Sequence, residues 1–181
     1  MNIPTSPERP VKQFFGKYRG TVVLNIDPEL RGRLICEVTD VLGPVPSSWC
    51  EASVPLAGPT GAPMGAYFVP PIGAGVWVEF EQGDPNKPVW TGCRFSPGDP
   101  PTLALAGLPI SPSIVLQTAL QNAVIISDLP GPTGGIMLKS TTGATLIVND
   151  TGIYIQNGKG AMMTMVGPAI DFNGGALTIL K

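Results

Sequence analysis

Two carboxylates stand two residues apart in the run GVWVEFEQ, at Glu79 and Glu81, and on an extended strand both would point to one face. Paired carboxylates can cleave a glycoside when they lie roughly 5 to 9.5 Å apart across a substrate cleft. Charged i, i+2 pairs are also the usual outer face of a barrel strand, and that reading is preferred. The chain has no histidine. This removes the commonest general base, the base of a catalytic triad and the commonest metal ligand together. Cys36, Cys50 and Cys93 show no CxxC spacing and read as reduced structural thiols, not as a disulfide or metal set. GAGVW (73–77) and GPTGG (131–135) match neither a dinucleotide fingerprint nor a phosphate loop with its lysine, so they read as turns. Met162, Met163 and Met165 read as filler of a narrow core. No catalytic, cofactor-binding or metal-ligating residue is assigned, and no cofactor is expected.

Binding chemistry is the next possibility. Tyr18, Trp49, Tyr67, Trp77 and Trp90 could form a stacking platform for sugars or single strands. The net charge of −2 gives no basic footprint for nucleic acid, so core and interface packing is the preferred role of these rings. Charged residues make up 13% of the chain, about half the usual share, and a surface so poor in charge is expected to be hidden against partners. No apolar run approaches the roughly 18 residues that span a bilayer. The start, MNIPTSPERPVKQFF, lacks the apolar core of a signal peptide, so synthesis in a bacterial cytoplasm is expected.

These residues must be carried by short strands, since the 23 glycines and 21 prolines suit tight turns. Residues 1–13 carry Pro4, Pro7 and Pro10 and read as an extended arm. Strands are expected at 17–26, 33–41, 49–56, 75–82 and 89–95, with DPELRG (27–32) as a hairpin loop. In 75–82, Val76, Val78 and Phe80 alternate with Trp77, Glu79 and Glu81, the signature of a half-buried strand. A small closed barrel of OB type over 14–95 is the expected result. Residues 96–135 read as a Pro/Gly-rich linker, with an extended segment favoured over a helix at 114–123.

Residues 136–181 hold the candidates IMLKS, ATLIVN, GIYIQN, AMMTMV, AIDFN and ALTIL, broken at glycines every six to nine residues. Such a ribbon has one apolar face, two open edges and no helix to cover it. Three copies around a threefold axis would close it. The expected shared core is Leu146, Val148, Ile153, Ile155, Met163, Met165, Ile170 and Phe172. The fold class is therefore all-β: an OB-fold barrel followed by a short β-helix or β-prism of three intertwined chains.

KYRGTVVLNIDPELRGRL followed by YFVPPIGAGVWVEFEQGDPNKPVWTGC resembles the OB domain of baseplate spike proteins, which include the phage baseplate assembly protein V family and type VI secretion spikes. The tail from IMLKS to LTIL is similar to their triple-stranded β-helix. The resemblance implies a homotrimeric structural spike, not an enzyme, at the centre of a contractile tail. It would join a hub below the tail tube and pierce the target envelope on sheath contraction. Lys12, Lys17 and Arg19 are the candidates for docking an acidic hub surface. Some relatives carry a lysozyme domain that residues 96–135 leave no room for, and others a His-x-His iron site this chain lacks. The chain ends in an apolar strand, so a PAAR-repeat cap is expected against Leu177, Ile179, Leu180 and Lys181. The alternative function is an OB-type module binding oligosaccharide or a single nucleic-acid strand.

Overall fold

The computed structural model describes residues 12–58, 61, 63–105 and 113–180. Most of the expected arm, and Lys181, lie outside the described residues. The chain divides into two compact units, Met1–Ser96 and Pro97–Lys181.

In the first unit, strands β1 (Tyr18–Leu24), β2 (Ile35–Glu37), β3 (Glu51–Ala52), β4 (Gly75–Phe80) and β5 (Pro88–Arg94) form a five-stranded sheet in the order β2-β1-β4-β5-β3. Its two outer strands meet where Leu34 and Cys50 exchange backbone hydrogen bonds of 3.2 and 2.7 Å, which closes the sheet into a barrel. The expected alternation in β4 holds: Val76, Val78 and Phe80 are buried, and Trp77 and Glu79 are half-exposed. These side chains join Val22, Leu34, Cys36, Val38, Cys50 and Trp90 in one core.

Three expectations are corrected here. The strand expected at 33–41 stops at Glu37, and Thr39–Leu42 form a single helical turn, α1, ended by Gly43 at φ +63°. Val38, Val41 and Leu42 are spaced i, i+3, i+4, so one turn lays them against the core, which an extended chain cannot do. The strand expected at 49–56 shrinks to the parallel pairing of Glu51–Ala52 with Val89–Trp90. Glu81 leaves the strand for a 3-10 turn, because Gln82 adopts φ +53°.

The second unit is an antiparallel sheet of eight strands in sequence order. They are β6 (Ile114–Gln117), β7 (Ala123–Ser127), β8 (Gly135–Lys139), β9 (Thr145–Asn149), β10 (Gly152–Gln156), β11 (Met162–Val166), β12 (Ala169–Phe172) and β13 (Leu177–Leu180). All six strands expected after residue 135 form. The expected linker 96–135 is corrected, because β6 and β7 within it pair with each other and extend the sheet.

Asparagines make the turns. Asn149 Oδ1 accepts the N–H groups of Thr151 and Gly152, and Asn157 Oδ1 accepts those of Lys159 and Ala161. Turns on the same edge touch. A Cβ on Gly158, at φ +70°, would stand 2.5 Å from the carbonyl oxygen of Thr142, so glycine is needed both for the backbone and for the approach.

Candidate functional site: an unclosed apolar face

Antiparallel pairing puts directly opposed residues on the same side of a sheet. One row runs from Ile114 through Ile126, Ile136, Val148, Ile153, Met165 and Ile170 to Ile179, one side chain per strand. Beside it Leu116, Val124, Leu138, Leu146, Ile155, Met163, Phe172 and Leu177 form a second row. Both rows are apolar from end to end and none of their members is buried. At strand spacings of about 4.8 Å the face is roughly 34 Å long.

All eight residues expected as a shared core fall in these rows. Ile114, Leu116, Val124, Ile126, Ile136 and Leu138 were missed; IVLQ and AVIIS are continuous apolar runs whose facing residues no polar alternation marks, whereas Ile136 and Leu138 stand on an expected strand. Leu177 and Ile179 end the rows on the last strand, and both are exposed. Leu180 pairs with Ala169 on that strand.

The opposite face changes character along the sheet. Val115, Ile125, Met137 and Ile147 give way in the same row to Tyr154, Thr164, Asp171 and Thr178. Thr178 donates to Asp171 at 2.9 Å. An apolar row facing polar groups across one thin sheet is the pattern of a wall with an inside and an outside.

The other candidates separate. Lys17 Nζ lies 2.9 Å from Glu79 and donates to Thr91, while Lys12 sits over the Phe14 ring and Arg19 is exposed on β1. The five aromatics do not form one platform: Tyr18 packs on Phe14 and Phe80, Trp49 lies under the Arg33 guanidinium, Trp77 is half-buried on β4, and exposed Tyr67 shares a groove with buried Trp90, whose Nε1 donates to the Gly32 carbonyl. Cys36 and Cys50 are buried thiols, and hydrogen bonding to Cys50 together with burial holds Cys36 protonated. Ser47 accepts the Cys36 N–H and lies 3.3 Å from Cys50 Sγ.

One buried charge pair was not foreseen. Asp27 accepts three hydrogen bonds from the Arg33 guanidinium, the shortest 2.7 Å, and further ones from the N–H groups of Glu29, Arg31 and Arg33. Arg33, and then those backbone groups, hold its carboxyl well below the usual carboxylate range. The pair fixes the β1–β2 loop.

Residues 18–95 match the family model described as the type VI secretion system/phage-baseplate injector OB domain. Residues 113–178 match the phage baseplate V C-terminal trimerisation domain. No curated protein matches the chain.

Proposed function

We propose that this chain, which matches a phage-baseplate injector OB domain and a baseplate V trimerisation domain, is the structural central spike of a contractile injection particle, joined to a hub through its OB unit and driven through the target envelope when the sheath contracts. The observation that carries this reading is the pair of unburied apolar rows in the segment that matches a trimerisation domain. Every strand already has its backbone partner inside one chain. Association therefore has to supply burial of side chains more than strand pairing. Three such faces turned inward would give a dry core containing Leu146, Val148, Ile153, Ile155, Met163, Met165, Ile170 and Phe172. Each half-exposed side chain would gain about 1–2 kcal/mol on burial, or tens of kcal/mol for the trimer. Close-packed interiors compress little, so such a prism transmits load along its axis without chemistry.

At its far end the exposed Leu177 and Ile179 and the free edge of β13 support a tip cap of the PAAR-repeat type. Arg19 and Lys12 remain the basic candidates for the hub, since Lys17 is engaged by Glu79. The native mass of the full chain tests the reading: a trimer is expected, and a stable monomer overturns it.

A further inference from the structure

The face opposite the ladder rows is of two kinds. Over β10–β13 its central row is Tyr154, Thr164, Asp171 and Thr178. These carry polar groups suited to water, and they serve one another or their neighbours: Tyr154 Oη lies 2.9 Å from Thr151 Oγ1, and Thr178 donates to Asp171. Over β6–β9 the same row is Val115, Ile125, Met137 and Ile147, with no polar side chain in it. Strands β6–β9 are therefore apolar on both sides, and their sequences run as IVLQ, AVIIS, IMLK and TLIV. Continuous apolar runs mark strands buried on both faces, whereas strands with one wet face alternate.

The single chain shelters this row only in part. Ile125 is 7% exposed, but Val115, Met137 and Ile147 are half-buried. Along one flank run Gln117, Ala123, Lys139 and Thr145, with Lys139 the single charge among them. An apolar centre with a polar, sparsely charged rim is the make-up of a protein contact.

Symmetry points to the mate. In a cyclic trimer each contact joins two different patches, one from each of two neighbouring copies. Among the described residues β6 has a strand partner on one edge only. Its Ile114 and Leu116, at 64% and 56%, are also the most exposed ladder side chains of the first four strands. We propose that β6 of one copy lies over the Val115/Ile125/Met137/Ile147 row of the next copy, with Ile114 and Leu116 packed against it. The relation repeats from copy to copy and closes after three. The sheets then overlap over β6–β9 and keep a wet outer face over β10–β13. This inference rests on the trimer, and the match to a trimerisation domain spans residues 113–178, so the same strands that carry that contact carry this row on their other side.

The test uses the full chain with the photo-crosslinking residue p-benzoylphenylalanine in place of Met137 or, as a control on the outer face, in place of Thr164. After irradiation and denaturation the first should run at twice the chain mass and the second at the mass of one chain. The peptide joined from the second chain should contain residues 114–117. In parallel, Met137→Glu should lower the temperature at which the trimer dissociates, and Thr164→Glu should leave it unchanged. The proposal is overturned by a product of single mass at position 137, which would mean that the chain covers its own row. It is equally overturned by the same yield of double-mass product at both positions, by a joined peptide from elsewhere in the chain, or by a Met137→Glu trimer as heat-resistant as the parent. A parent chain that is monomeric by native mass removes the trimer itself, whereas a trimeric parent with any of those results removes the overlap alone.

Discussion

In the barrel, Leu34, Cys36, Val38, Cys50, Val76 and Val78 are completely enclosed by strands of one chain. In the eight-stranded sheet the ladder side chains remain open, with exposures such as 64% at Ile114 and 57% at Leu177. Both units are built from short alternating strands and glycine turns. What separates them is closure. The barrel sheet bends until its first and last strands meet at Leu34 and Cys50, so the apolar face turns on itself. The second sheet is a meander whose neighbours in space are always neighbours in sequence. Among the described residues no further strand pairs with its first or last strand, and the side chains of the apolar rows stay unburied. One unit is a folding unit, and the other is one wall of something larger. In the proposed trimer a low charge content has its reason, since the apolar surplus would sit on the face turned to other copies.

The sharpest way to break this comparison is to place a charge in the ladder. Ile155 faces Leu146 and Met163, and Ile155→Asp would bury three unpaired carboxylates at one level of a trimer, at several kcal/mol each. Native mass spectrometry should then show monomer, while the near-ultraviolet circular dichroism of the barrel tryptophans persists. Thr164→Asp on the opposite face should leave the mass at trimer. Were Ile155→Asp to stay trimeric, the ladder would not be the contact surface.

The reverse substitution weakens the barrel alone. Leu34→Ala empties a fully enclosed site and should cost about 2–5 kcal/mol, lowering the barrel's melting transition without changing the mass. A concurrent loss of trimer would show that the two units do not stand apart energetically.

Acid gives the mildest test. The folded-state pKa of Asp27 is depressed, so its contribution is complete above the unfolded value near 4 and is lost as pH falls through and below it. The barrel transition should decline below about pH 4, and Asp27→Asn should lower stability at pH 7 while flattening that decline. An unchanged acid limb in the variant would assign the decline to other carboxylates.

How much of this was legible in sequence differs between the units for a physical reason. Strand alternation is local, so Val76, Val78 and Phe80, and all six C-terminal strands, could be read from residue order. So could the turns, because Asn149 and Asn157 with the glycines that follow them make hairpins by bonding to backbone only two to four residues away. β6 lies in the segment expected to be extended and β7 was missed, because IVLQ and AVIIS are continuous apolar runs without the polar alternation that marks the later strands. Register was not local. Whether Ile153 faces Val148 and Met165 depends on how each strand slides against the next, and a one-residue slip would have turned a row to the other face. The helical turn at Thr39–Leu42, the Asp27–Arg33 pair and the seam at Leu34 and Cys50 all bring together groups that the sequence alone leaves unmatched. Residue order by itself determined the strands, the turns and an apolar surplus too large for one chain. Only the tertiary structure decided which part of that surplus is enclosed and which is left facing outward, because burial depends on what lies across the fold, not on what comes next along the chain.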